Sequence, residues 1–230
     1  MRSACALTVA ALTLLVAAPT PAAPNVTRIA KLFIATPVRA KPTAASRVVA
    51  KLAAIRPITS QQTAVPVLRT ARDNKGDQWL KVPLPGRPLG RTGWIQAARV
   101  TFIPAHWRLV VDRKTRKATV YRDGKVFERV PVVVGKPSTP TPKGLFFVEE
   151  HVRQASGSEL GPWALATSAF SQVLQEFGGS PGQVALHGRA GPLLADPLGT
   201  AASHGCIRFD NAVIRQLAQR LPNGTPIEIR

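Results

Sequence analysis

Lys117-Ala118-Thr119-Val120-Tyr121-Arg122-Asp123-Gly124-Lys125 is the stretch from which the fold class is read. Residues 117–122 have the β-branched and aromatic content of a strand. Asp123-Gly124 then supplies a two-residue hairpin turn, whose central positions both need positive φ. The chain is expected to return as a second strand over 125–134, with Pro131 marking an edge or a bulge, because proline cannot donate to a ladder.

The same reading extends in both directions. Arg108-Leu109-Val110-Val111-Asp112 is a strand candidate, as are 145–149, Gln183-Val184-Ala185-Leu186 and 225–229. Residues 135–144 form a loop built on Pro137, Pro140 and Pro142. The one clear helix is late. Asp210 is placed to cap it, Val213, Ile214, Leu217, Ala218 and Leu221 recur at helical spacing, and Pro222-Asn223-Gly224 ends it. Residues 156–182 are rich in Gly and Ser, with a turn or two of helix expected at 173–177. Upstream, residues 25–103 read as short strands with many breakers: Val38-Arg39-Ala40, Val48-Val49-Ala50-Lys51-Leu52, Gln78-Trp79-Leu80-Lys81-Val82 and Gly93-Trp94-Ile95. Trp79 and Trp94 are expected in a small core. This stretch resembles the bacterial Src-homology-3-like barrel, and 104–107 reads as the joint to a second domain over 107–230. The fold class is therefore mainly β, with one C-terminal helix and no doubly wound sheet.

Met1-Arg2-Ser3, an apolar run from residue 4 to about 18 and the Pro- and Ala-rich 19–24 follow the order of a secretory signal. The expected leader is 1–23, and the run is shorter than the ~20 residues of a membrane span. The mature chain is thus expected outside the cytoplasm, at the cell wall or in the periplasm, with no membrane span. The formal net charge of +19 favours anionic surroundings. Given export, these are anionic wall polymers rather than nucleic acid, for which no binding motif is present.

Of 2 cysteines, Cys5 falls in the expected leader, leaving Cys206 without a partner in Ser203-His204-Gly205-Cys206-Ile207-Arg208. An unpaired thiol among Ser, His, Gly and Arg has the polar setting that reactivity requires. A neighbouring imidazole can take its proton. His204 shares a face with Cys206 if the segment is extended, and His187, in His187-Gly188, can approach from a separate strand end. Spacing leaves both open as the base. Backbone N–H groups near Gly205 and Cys206 could stabilise an oxyanion, and Arg208 could hold a substrate carboxylate. Cys206, His204 and His187 could also supply three zinc ligands, although no acidic second layer is evident, and no metal is expected.

Taken together, His187-Gly188 and Ser203-His204-Gly205-Cys206-Ile207-Arg208 resemble the signature of the L,D-transpeptidase catalytic domain of the YkuD type. The segment 135–144 (Gly-Lys, then Thr141-Pro142-Lys143-Gly144) and the hairpin at 121–125 are similar to further parts of that family. The resemblance implies a β-sandwich-like domain over 107–230. It implies Cys206 as nucleophile, His187 as general base oriented by the Gly188 carbonyl, and Ser203, His204, Gly205 and Arg208 as oxyanion or substrate contacts. The implied reaction is 3→3 cross-linking of peptidoglycan stem peptides through a thioester with release of D-Ala, without a cofactor. The alternatives are an L,D-carboxypeptidase or other wall amide hydrolase using the same thiol, and a non-catalytic wall-binding protein.

Overall fold

The computed structural model describes residues 26–177, 179 and 181–230. The expected leader at 1–23, with Cys5, lies outside the described residues. Among those described, no helix is long and apolar enough to cross a membrane.

The hairpin forms, but its returning strand stops at Pro131 instead of reaching 134, and Val134–Gly135 pairs with Ala201–Ser203. Strands Lys117–Arg122 and Lys125–Pro131 pair in antiparallel fashion across Asp123 (φ 49°) and Gly124 (φ 77°). Lys125–Pro131 is the edge of an eight-stranded sheet, so Pro131 costs no ladder bond. From that edge the order runs through Lys117–Arg122, Trp107–Asp112, Pro226–Ile229, Gly144–Arg153, Trp163–Phe170 and Gln183–His187 to Ile207–Arg208. The helix Asn211–Arg220 is capped by Asp210, whose Oδ1 accepts from the Ala212 N–H at 2.8 Å. It packs Ile214 and Leu217 onto the sheet, into a core with Leu109, Val148, Leu165 and Phe209.

Within 156–182 the structure holds one element that the sequence did not show and lacks one that was expected. A long strand, Trp163–Phe170, occupies the Gly- and Ser-flanked stretch. Both its faces are largely buried, so it lacks the alternation that marks a half-exposed strand. No helix forms at 173–177, where the chain bends irregularly. Its local hydrogen bonds go instead to Ser171 Oγ, which accepts from the Val173 and Leu174 N–H groups.

The N-terminal part forms a three-stranded and a five-stranded antiparallel sheet that share a core around Leu32, Val38, Leu80, Val82 and Ile95. Trp79 is buried, with its indole N–H on Asp73 at 3.0 Å. Trp94 is only half-buried, because it sits next to Gly93 on the opposite face of its strand.

Strand Gly144–Arg153 joins the two parts. Phe146 belongs to the core beneath the helix, and Phe147 to the N-terminal core. A bulge between Val148 and Glu150 follows, in register against Thr167 and Ala166. The extra residue lets the consecutive carboxylates Glu149 and Glu150 both meet the N-terminal part. Arg56 pairs with Glu149 at 3.0 Å. Glu150 accepts from the Ile58 N–H, the Thr59 N–H and the Thr59 hydroxyl.

Burial pushes the Glu149 carboxyl up to about 7, with Arg56 pulling the other way and Glu150 adding to the rise. The folded value lies above the unfolded one, so the native state retains a proton that the unfolded chain has lost. This stabilising contribution is complete below about pH 4.5 and disappears as pH rises through about 7. Glu149→Gln should remove it. The variant is expected to gain on the wild type by up to about 3 kcal/mol between pH 5 and 8. Thermal melts across that range read the difference, and parallel curves would contradict it.

Candidate active site

The site is built where two segments distant in sequence run side by side. Gln183–His187 pairs in parallel with Ile207–Arg208, setting Leu186 opposite Ile207 and His187 opposite Arg208. The Phe209 N–H donates to the His187 carbonyl at 2.8 Å, and Val133 exchanges both backbone hydrogen bonds with Arg208. Cys206 immediately precedes this pairing. The Ala185 backbone, two residues before His187, acts on its thiol.

His187 is 2% exposed, and its Nδ1 lies 2.7 Å from the Gly188 carbonyl oxygen. A carbonyl only accepts, so Nδ1 carries the proton and Nε2 is left as the basic nitrogen. Burial pushes this imidazole down to about 4, with the Gly188 carbonyl opposing the shift and Arg208 adding to it. Burial also pushes the Cys206 thiol up, against the Ala185 hydrogen bond and the Arg208 charge. The resting pair near neutral pH is therefore a neutral imidazole and a neutral thiol, with one guanidinium acting on both.

The turn that carries Cys206 is held from beneath. Gly205 sits at φ +125°, a conformation that favours glycine. Ser203 is fully buried; its hydroxyl donates to the Cys206 carbonyl at 2.6 Å and accepts from the Gly205 N–H at 3.1 Å. Ser203 thus shapes the turn and presents no surface to a substrate. The Gly205 N–H, one of the two expected oxyanion donors, is engaged by that hydroxyl.

Thr141, also fully buried, donates to the Gly205 carbonyl at 2.8 Å and accepts from the Gly135 N–H at 2.8 Å. The Lys136 N–H and the Thr139 hydroxyl both donate to the Ser203 carbonyl. The Gly- and Pro-rich loop read at 135–144 is thereby a cradle for the cysteine turn. Thr141→Val keeps the shape and strands two backbone groups, so it should cost roughly 2–4 kcal/mol of stability. An unchanged denaturant midpoint would contradict this role.

His204 is exposed. Its ring stacks on Phe177 with centroids 5.0 Å apart, and its Nε2 lies 3.4 Å from Lys136 Nζ. It faces the mouth of a cleft of about 40 Å³ whose lining includes Leu174, Phe177, Gln183, His204, Cys206 and Arg208. Strand pairing sets the end of the His187 strand beside the Cys206 turn, whereas the His204 side chain lines the cleft together with Cys206. Among the described residues, no three His, Cys, Asp or Glu side chains are grouped to hold a metal ion.

Arg208 is 6% exposed and pairs through Nη1 with Asp196, while its buried Nε–H has no partner among the described residues. Asp196 comes from the 189–202 loop, which has no diagnostic pattern in sequence. Asn211 is a second residue that sequence reasoning passes over. Its side chain accepts from the Arg189 N–H and donates to the Arg189 carbonyl, both at 2.9 Å. It thereby anchors the chain next to Gly188. As the first residue of the helix it looks like an ordinary helix start, and only the fold shows what it reaches.

Residues 106–229 match the L,D-transpeptidase catalytic domain family, YkuD. The curated protein carrying the name YkuD in Bacillus subtilis is 32% identical over 127 residues, covering 55% of this chain and 66% of that protein. Its counterpart in Bacillus licheniformis is 32% identical over 124 residues, covering 54% and 65%. The chain thus spans just under two thirds of the length of these relatives. Among solved structures, L,D-transpeptidase 3 from Mycobacterium tuberculosis in complex with a faropenem-derived adduct is 15% identical. It covers 86% of this chain and 97% of that one at a TM-score of 0.47. The catalytic domain of the Enterococcus faecium L,D-transpeptidase is 24% identical, covering 55% and 98% at a TM-score of 0.41. The assignment rests on the family match across more than half of the sequence, which spans both the His187 strand and the Cys206 turn: the chain belongs to the L,D-transpeptidase catalytic domain family.

Proposed function

We propose that this protein is an exported peptidoglycan L,D-transpeptidase with Cys206 as its nucleophile and His187 as its general base. The observation that carries the reading is the parallel strand pairing that sets His187 opposite Arg208, two residues past Cys206, with the His187 Nδ1 proton held by the Gly188 carbonyl so that Nε2 is left to accept. The Cys206 sulfur attacks the carbonyl of the third stem residue, an L-centre of diaminopimelate, and its proton passes to His187. The oxyanion is stabilised by the Cys206 N–H, since that of Gly205 is occupied by Ser203. The amide C–N bond breaks, His187 returns the proton to the departing D-Ala amine, and a thioester remains. A side-chain amine of a neighbouring stem then displaces the sulfur, forming a 3→3 cross-link and regenerating the thiol. No step calls for a metal or an organic cofactor.

The unpartnered, buried Arg208 Nε–H supports a hydrogen bond to a stem-peptide carboxylate or carbonyl, because leaving such a donor unpaired is costly. His204, stacked on Phe177 beside Lys136, is assigned to substrate contact at the rim. The net charge of +19 supports residence among anionic wall polymers, and the N-terminal sheets are read as the Src-homology-3-like unit.

Incubation with disaccharide-tetrapeptide, followed by mass spectrometry, tests the proposal. Cross-linked dimers with free D-Ala are the expected result. Trimmed tripeptide without dimer would make the enzyme an L,D-carboxypeptidase. Neither product, together with no carbapenem adduct on Cys206, would leave a wall-binding protein.

A further inference from the structure

We infer that Arg87, from the N-terminal part, is a positioning residue for the active site that anchors residues 171–177 and Pro181-Gly182 beside the Cys206 cleft. The inference rests on reading the Cys206 cleft as the substrate site. The Arg87 Nε donates to the Ser171 carbonyl at 2.9 Å. Its Nη2 donates to Ser171 at 2.7 Å and to Leu174 at 2.8 Å, and Nη1 donates to Pro181 at 3.0 Å. These partners lie 84 to 94 residues away along the chain. The guanidinium also stands 5.3 Å from the Phe170 ring centroid, at the end of the strand that leads into the loop.

Three carbonyl oxygens converging on one point repel one another unless a cation lies between them. A planar guanidinium meets all three at once, which an ammonium on a flexible stem does less well. Among the described residues, the loop closes on itself through the Ser171 N–H to the Gly182 carbonyl and the local bonds of Ser171 Oγ. Leu174 and Phe177, which this loop carries, line the cleft, and Phe177 stacks on His204. The N-terminal part reaches the same cleft a second time. Arg56 holds Glu149, which accepts from Gln183 Nε2 at 2.8 Å, and Gln183 lines the cleft. By contrast, Cys206 and His187 are held by the paired strands and the 135–141 cradle, none of which Arg87 touches.

Loss of Arg87 should therefore loosen one wall of the substrate cleft and leave the chemistry in place. In the full chain, Arg87→Ala is expected to raise hydrogen exchange at 171–177 by about 10-fold or more, with Gln183–His187 unchanged. KM for disaccharide-tetrapeptide should rise by about 10-fold while kcat stays within about 3-fold. Its pH profile should be that of the wild type. Arg87→Lys, which keeps the charge but not the fork, should follow Arg87→Ala. Gly182→Ala attacks the same contact from the loop side, since its Cβ would fall 2.2 Å from the Leu174 carbonyl oxygen and 2.9 Å from Arg87 Nη2. It should give the same exchange pattern, and it keeps the test open if Arg87→Ala does not fold.

Wild-type exchange at 171–177 in these variants, or a fall in kcat at constant KM, would overturn the positioning role. Exchange and the rate of iodoacetamide labelling of Cys206 are read without any turnover. A chain that shows the exchange change but no activity on muropeptides retains the anchor and loses only the transpeptidase reading.

Discussion

Cys206→Ala should abolish cross-linking and D-Ala release, lowering turnover by at least about 10³-fold, without unfolding the protein. Cys206 as a residue is half-buried, and the turn beneath it is held by Ser203, Thr141 and the 135–141 backbone rather than by the thiol. Its removal should thus cost no more than about 1 kcal/mol of stability. Cys206→Ser should be nearly as inactive, because a hydroxyl is a far weaker nucleophile. Product analysis and a thermal melt of each variant separate chemistry from folding. Dimer formation by Cys206→Ala at more than a few percent of the wild-type rate would remove the thiol from the mechanism.

His187→Gln is expected to lower kcat/KM by about 10²–10⁴-fold. Glutamine can still donate to the Gly188 carbonyl but cannot accept the thiol proton. Since burial pushes His187 down to about 4, the acid limb of the wild-type profile should inflect near pH 4 rather than near 6.5. The limb should vanish in His187→Gln. The Cys206 thiol is pushed up, so its alkylation by iodoacetamide should be slow at pH 6 and keep climbing above the ordinary thiol range. A flat, fully reactive plateau from pH 5 upward would instead report a resting thiolate–imidazolium pair and contradict this account. For stability the sign is opposite to that of Glu149. The depressed folded value of His187 favours the native state above about pH 6.5, and this is lost as pH falls through about 4.

What the sequence discloses and what it hides follow a physical division. Local rules sufficed for the Asp123-Gly124 hairpin and for the Asp210-capped helix, because turn chemistry, capping and helical period act within a few residues. They failed for Trp163–Phe170, which is covered on both faces, and for 173–177, where one serine side chain outcompetes the helix. Cys206 stood out as a solitary thiol among polar neighbours. The choice between His187 and His204 did not come from spacing. It came from the family resemblance; what the fold adds is non-local, the parallel pairing of Gln183–His187 with Ile207–Arg208 that sets the His187 strand beside the Cys206 turn. Thr141, Asn211 and Arg87 act through backbone groups far along the chain, and nothing in their immediate sequence advertises those partners.

Strand Gly144–Arg153 gives one side chain to each core, and that has a consequence for modularity. The joint near 104–107 looks like a place to cut. A catalytic half excised there would leave Phe147 facing water, take Arg56 from Glu149 and strip Glu150 of its Ile58 and Thr59 donors. An exchange of N-terminal parts between relatives would have to carry over the surface complementary to Phe147 and both carboxylates. The two halves are separable in the order of the chain but form one heritable unit.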